Sequence, residues 1–395
     1  METPSKSYDV AIAGAGPAGS SLAIRLANAG LSVLLVEQKA FPREKLCGEF
    51  ISPECLSHFE ELGVMDDMIA AGGTKLNETI FFARNGKSVS VNSEWFGDFG
   101  RSALGLSRAK MDTKLFERAK YSGVTVLDET SVTGLILESQ CVVGLKLKEK
   151  NQTEQTILSK LCVDATGRTR SLVRRLENKD AAKRPAELIA FKTHLRGAKV
   201  SPGACEIYVY QGGYGGCNRV EDDLYNLCFI ASADDTKRLS SDPETIMREV
   251  VFTNQRAKYS MRDATVAKPW LAVPIERFGR GQLVSIEGLI TVGDAAAFID
   301  PFTGSGMLLA LESGKIAACS ISKTFSNGFN FADLATEYKR RYSAAFDRRL
   351  RACSILRYAA FSPILSETTI AILKLNENIR RRVARSTRFN AQSDV

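Results

Sequence analysis

Three widely separated segments combine glycine with single polar groups: Gly14-Ala15-Gly16-Pro17-Ala18-Gly19, Asp164-Ala165-Thr166-Gly167-Arg168, and Gly293-Asp294-Ala295-Ala296-Ala297 running on to Asp300-Pro301-Phe302-Thr303-Gly304-Ser305-Gly306. Glycine lets backbone N–H groups come close to a phosphate, and a carboxylate at a strand end accepts hydrogen bonds from sugar or polyol hydroxyls. One such segment alone is a common turn. Three in this order suit a single large dinucleotide touched from several strand ends.

The elements around the first segment are those such a site needs. Val10 to Ala13 is an apolar run that predicts a buried parallel strand, Ala18 to Ala29 predicts a helix, and Val33 to Val36 a second strand ending in Glu37. In this βαβ unit Gly14 permits the tight turn, Gly16 the approach of a pyrophosphate, and Gly19 close packing of helix on strand. The helix N-terminus offers free N–H groups and a partial positive charge to the phosphates. Glu37 stands at the spacing of a ribose-binding acid and disfavours a 2′-phosphate. The group implied is FAD.

Composition bounds the rest. The chain has 395 residues, enough for two or three structural units, with ordinary apolar and charged fractions. Nine scattered cysteines without a CxxC pair predict free thiols in a reducing cytoplasm. The first strand begins near Tyr8, which leaves no room for a secretory leader, and no run is apolar enough to span a bilayer. Two histidines, His58 and His194, make a Ser/His/Asp hydrolase or a histidine-rich metal site a poor fit, and no metal site is predicted.

The net charge of +8 is concentrated at the end. From Phe331 to Val395 there are thirteen Lys/Arg against six Asp/Glu, a net of +7. The pattern predicts helices from Phe331 to about Phe361 and, after a break at Pro363, from Glu367 to about Arg385. The preferred reading is helices packed on the body with solvated basic faces. A peripheral membrane surface or a dock for an acidic carrier protein is the sharper one. Nucleic acid is disfavoured, because aromatic interleaving is nearly absent and the body is neutral.

The fold class predicted is α/β: a Rossmann-like FAD-binding domain (residues 1–75, 101–180 and 280–325), interrupted by a strand-rich substrate domain (76–100 and 181–279), with a helical C-terminal region (326–395). A helix is predicted from Lys110 to Tyr121 and another from Pro243 to about Lys258. A β-meander precedes Asp164, and Gly212-Gly213-Tyr214-Gly215-Gly216 ends a strand with glycines that suit close approach of a ligand or another backbone.

Taken together, these pieces resemble flavoproteins of the para-hydroxybenzoate hydroxylase fold, and within it the geranylgeranyl reductase-like branch, over about residues 7 to 325. The resemblance assigns FAD contacts to Gly14, Gly16, Ala18, Gly19 and Glu37, to Asp164 and Gly167, to Gly293 and Asp294, and to Pro301, Gly304, Ser305 and Gly306. It also places Arg108 on the cofactor and sets Pro42-Arg43-Glu44-Lys45-Leu46-Cys47-Gly48-Glu49 beside the flavin, with Arg43 and Cys47 in contact. Cys47 and Tyr214 are the catalytic candidates; each also has a plain structural reading, a buried thiol and a loop residue. Two departures count against close copies of known branches. Trp270-Leu271-Ala272-Val273-Pro274 is only a loose echo of the reductases' aromatic-proline motif, and the WxWxIP segment of flavin halogenases is missing.

The expected activity is an FAD-dependent oxidoreductase acting on a hydrophobic, aromatic or acyl small molecule, free or carrier-bound. With no second nucleotide fingerprint, NAD(P)H visits the flavin cleft as a transient co-substrate. The sequence leans narrowly to a monooxygenase that activates oxygen on the flavin. The alternatives are a reductase or dehydrogenase of carbon–carbon bonds and a non-catalytic flavin-binding redox sensor.

Overall fold

A computed structural model describes residues 7–96, 100–150, 152–177, 186–275, 278–300, 302, 304–361 and 363–386, with the side chains at 352, 354–366 and 386 excepted. Helices and strands mix in the predicted α/β arrangement. A first sheet runs in the order Val284–Ile286, Leu289–Thr291, Gln155–Asp164, Ser7–Ala13, Val33–Val36, Thr125–Leu127. Its central pairs are parallel, with Ala13 beside Asp164 and Val36, so the ends of three strands open on one edge. Thr130–Glu138 and Cys141–Glu149 extend it as the antiparallel meander. The strands Ala11–Ala13 and Leu34–Val36 are fully apolar and buried, as sequestration on both faces requires.

Helix Pro17–Asn28 lies on this sheet, and helix Gly306–Ser326 packs on that helix. Small residues set their approach: a Cβ on Gly314 would come within 2.9 Å of the Ala18 carbonyl oxygen, and one on Gly293 within 2.8 Å of the Ala18 Cβ. The late glycine segment is thus drawn to the N-terminal helix.

A second eight-stranded sheet is built from Glu78–Phe82 and Ser88–Asn92 together with strands between Ala204 and Ile275 and the strand Leu188–Arg196. Here the structure corrects two expectations. Gly212 sits in the turn after Tyr210 at φ +75°, but the glycines beyond it do not form a loop; Gly213–Arg219 is an interior strand paired on both sides. Its glycines are needed for fit, since a Cβ on Gly213 would lie 2.1 Å from the Ile230 carbonyl oxygen and one on Gly215 2.9 Å from the Phe229 Cβ. The single helix expected from Pro243 to Lys258 is two, Pro243–Glu249 and Gln255–Met261. Asn254 between them is fully buried; its Oδ1 caps the second helix through the Arg256 and Ala257 N–H groups. Its Nδ2 donates to Phe82, Ala83 and Val209 carbonyls, so capping and sheet anchorage outweigh helix continuity.

The basic tail folds as helices Phe331–Phe361, Pro363–Leu375 and Glu377–Ser386. Pro363 opens the second of these, where its missing N–H costs nothing, and the expected 367–385 helix is interrupted at Asn376, whose Oδ1 accepts from Ile379 N. The last two helices pack on the edge strand Ser88–Asn92. Ile370 joins Ala83 and Val89, and Ala384 joins Val91, Trp95 and Phe96. No helix among the described residues is long and apolar enough to cross a membrane.

Candidate functional site

The strand ends of the first sheet, the face of the second sheet and the tail helices enclose one cavity of about 960 Å³. Gly14, Gly16, Ala18, Glu37, Arg43, Cys47, Arg108, Gly167, Tyr214, Gly293, Asp294, Gly304 and Gly306 all line it.

Its first end is a cradle of bare backbone. Gly14 has φ +103°, and a Cβ there would lie 2.4 Å from the Ala165 carbonyl oxygen. Gly19 is the contact of helix on turn, with a virtual Cβ 1.9 Å from the Gly14 oxygen. Gly16 differs: its added Cβ would meet nothing nearer than Arg43 Nη2 at 3.9 Å, so the space over it is open. Gly167, Gly304 and Gly306 also carry no neighbour that shields them, or stand at positive φ (Gly167 +71°, Gly304 +61°). Open backbone at the start of two helices, lined with cations and ending at a strand-end acid, fits a pyrophosphate and a ribose. The residues present therefore fit FAD. Bound there, it supplies the redox chemistry while the protein supplies placement and electrostatics.

The acids and cations of the cradle are mutually braced. Glu37 Oε2 accepts from Ala15 N at 3.1 Å and from Arg43 Nη2 at 3.2 Å, and its Oε1 accepts from Lys39 N. Arg43, buried, reaches Asp112 Oδ2 with Nη1 at 3.0 Å. Asp112, fully buried, also takes Arg108 in a two-point pair at 2.7 and 2.8 Å. Burial opposes the charge on Arg108, but Asp112 beside it wins and pushes its pKa up, with further help from Cys47. Arg108 is the first residue of helix Arg108–Tyr121, capped by Ser107 Oγ accepting from Lys110 N, two residues earlier than the sequence pattern indicates. For Asp294 burial prevails: it raises the carboxyl, and Arg168, Arg108 and Lys45 only partly counter it. Lys45 in turn is lowered by burial and by the like charges of Arg43 and Arg108.

Asp164 lies elsewhere than the cofactor contact that the resemblance assigns. Its carboxylate is fully buried and accepts from Thr166 N and Oγ1 (3.0 and 2.6 Å) and from Leu172 and Val173 N (2.9 and 3.1 Å). With four protein donors it shapes the 165–173 loop, leaving Ala165, Thr166, Gly167 and Arg168 to face the cavity. Ser305 is buried at the N-cap of helix Gly306–Ser326, whereas Pro301 lies outside the described residues.

Cys47 is half-buried on the cavity wall, and its sulfur accepts from Glu49 N at 3.4 Å. Its charged neighbour is Arg108; Arg43 is committed to Glu37 and Asp112. Tyr214 stands on the middle strand with its hydroxyl donating to Asp300 and its ring edge-on to Phe302 at 5.1 Å. Burial and then Asp300 raise its pKa well above the ordinary phenol value, so its proton stays on the oxygen.

A charged cluster beside Cys47 escaped the sequence reading. Glu49, fully buried at φ +51°, receives Lys192 Nζ at 2.5 Å, His194 Nε2 at 2.7 Å and Arg108 N at 2.8 Å. Lys192 also meets Glu44 at 2.9 Å. Glu44, Glu49 and His194 bring ligand atoms within 4.8 Å of one another, and the Lys192 ammonium supplies the positive charge among them. The available signal was a Lys and a His at alternate positions of a largely apolar strand, both reaching Glu49.

Fold and site define an FAD-dependent oxidoreductase. Residues 7–325 match the FAD binding domain family, and the chain belongs to that family. It is 29% identical over 343 residues to a digeranylgeranylglycerophospholipid reductase of Methanosarcina acetivorans, covering 85% of this chain and 80% of that one. The corresponding protein of Methanosarcina mazei is 30% identical over 335 residues, covering 81% and 76%. Among solved structures, a flavin-dependent brominase superposes with a TM-score of 0.81 over 98% of this chain and 96% of its own, at 24% identity, a likeness of fold.

Proposed function

We propose that this protein is an FAD-dependent reductase that saturates carbon–carbon double bonds in a long, apolar substrate, with NAD(P)H as the source of electrons. The observation that carries the reading is the continuity of the cavity. From the dinucleotide cradle it runs into a chamber walled by Phe81, Val89, Val91, Ile207, Ile370 and Leu373, an apolar lining suited to a hydrocarbon chain. Sequence likeness to two digeranylgeranylglycerophospholipid reductases across most of both chains supports it further. Oxygen insertion, to which the sequence leans, has only likeness of fold behind it.

Saturation adds a hydride to one carbon and a proton to the other. The hydride is the chemistry that a reduced flavin held by this cradle would supply. Cys47 is the proposed proton donor: its S–H bond breaks as the new C–H bond forms, and the thiolate left behind faces the Arg108 guanidinium. Tyr214 touches Asp300 and Phe302 and acts as a positioning residue.

The test is anaerobic turnover of the reduced holoenzyme with prenyl lipids in D₂O, followed by mass spectrometry. Gain of two hydrogens per double bond, with solvent deuterium incorporated, is the expected result. Absence of saturation together with oxygenated products in air would return the reading to a monooxygenase. Bound FAD with no turnover of either kind would favour the redox sensor.

A further inference from the structure

We infer that the last two helices form a docking face for an anionic bilayer at the far end of the substrate cavity. The inference rests on the reading of that cavity as a lipid chamber for its purpose, but not for its test.

These helices have two sides with different work. The inner side closes the cavity: Thr369, Ile370, Leu373, Arg380, Val383 and Ala384 line it. The outer side carries Ile372, Leu375 and Ile379, which are 52%, 86% and 44% exposed. Isolated apolar residues on a surface are ordinary, but here three large aliphatic side chains fall within eight residues of a short helical turn-back. Lys374, Arg381, Arg382 and Arg385 are exposed around them, with Glu377 the one exposed acid on the last helix. An apolar strip framed by cations is the composition of a helix lying at the interface of an anionic membrane. A second copy of this chain is a worse occupant, because its own cations would face these. The helices are held to the body by Ile370 and Ala384, and by Arg380 and Arg381 over the Trp95 ring at 5.8 and 5.7 Å. The face is therefore presented in a fixed position next to the cavity, so that a chain drawn from a bilayer enters without crossing water.

The experiment is flotation of the purified holoprotein with substrate-free vesicles, either phosphatidylcholine alone or phosphatidylcholine with phosphatidylglycerol. Two triple variants are compared: I372S/L375S/I379S, and K374Q/R382Q/R385Q, the latter sparing Arg381 and its contact with Trp95. Partition onto the anionic vesicles is expected at low salt, weakened by high salt and by neutral lipid. Loss of three surface cations should weaken it about a hundredfold, at roughly fivefold each. The aliphatic variant should weaken it by about tenfold or more. Bound flavin per protein and the melting temperature serve as folding controls for both. Equal partition on neutral and anionic vesicles, or variants that float like the wild type, would overturn the inference. So would a wild type that ignores anionic vesicles at low salt, which would leave an acidic carrier protein as the occupant. Because the vesicles hold no substrate, failure here is separate from failure of the reductase reading.

Discussion

Gly16 and Gly19 are three residues apart in one turn, yet alanine at each should fail for opposite reasons. At Gly19 the new methyl would sit 1.9 Å from the Gly14 carbonyl oxygen, itself backbone and pinned against the 165 loop. No side chain can yield there, so G19A should disrupt the βαβ packing and give protein that does not fold. Gly16 has φ −76° and ψ −177°, extended backbone that alanine adopts freely, with open space where its Cβ would go. As an N-cap, alanine loses about 0.5–1 kcal/mol relative to glycine. The stiffer unfolded chain returns about 0.4–1 kcal/mol. Apo G16A should thus melt within about 4 °C of the wild type. Its methyl points into the space where a phosphate would meet the helix N-terminus. Losing one hydrogen bond to a charged phosphate, about 1.5–3 kcal/mol, should weaken FAD about ten- to a hundredfold. Calorimetry of the apoprotein and titration of FAD fluorescence measure the two quantities separately. FAD binding to G16A within about threefold of wild type would refute placement of the phosphates on this loop. Native melting of G19A would refute the rigidity ascribed to the turn.

Asp112→Asn leaves Arg108 and one arm of Arg43 buried without a counter-charge, so chemical denaturation should show a loss of about 3–5 kcal/mol, and less than about 1 kcal/mol would disprove the bracing role. Tyr214→Phe removes the donor to Asp300 from a buried site and should cost about 1–3 kcal/mol while leaving FAD affinity near wild type; a large loss of FAD instead would move Tyr214 into the cofactor site. Glu206 gives a pH signature. Burial raises its pKa, but Arg256, Ser201 and Tyr208 outweigh burial and hold it below the ordinary value of 4.5. Its stabilising contribution is thus present above about pH 4.5 and lost as pH falls through the depressed value. The melting-temperature gap between wild type and Glu206→Gln should close on acidification through that window; a constant gap would show that the carboxylate charge is irrelevant.

What was legible in the sequence was what local stereochemistry encodes. The run from Val10 to Glu37 reads correctly because strand, tight turn and helix start each demand particular residues at fixed spacing. The helix boundaries at Asn254 and Asn376 did not read, because the capping side chains are chosen by contacts to distant strands or by the start of the next helix. The strand Gly213–Arg219 was hidden by glycine's poor strand preference, which close packing between two neighbouring strands overrides. Asp164 shows a different limit: a motif fixes that an acid stands at a strand end, whereas whether it serves a ligand or four backbone and side-chain donors of its own loop depends on where the loop turns.

The position of Cys47 follows from both domains at once. Its sulfur is approached by Arg108, which the first domain holds through Asp112. Its backbone is held by the second sheet: Asn226 Nδ2 donates to the Cys47 carbonyl at 3.1 Å, and Asn218 Nδ2 to that of Glu49 at 3.4 Å. The Glu49 side chain is gripped by Lys192 and His194 from the same sheet. Buried ion pairs of this kind gain little net stability, since desolvation offsets most of the attraction. They do penalise any other placement of Glu49, because each misplacement strands a charge in the interior. The cluster thereby fixes the thiol relative to the second sheet as well as to the glycine cradle, and it does so at residues two apart in sequence. In the proposed reduction the proton donor would have to serve a substrate on the second sheet and a flavin in the cradle of the first. A thiol tied to both domains satisfies that demand, which is a physical reason to place the proton at Cys47 rather than at Tyr214, whose hydroxyl keeps its proton while hydrogen-bonded to Asp300.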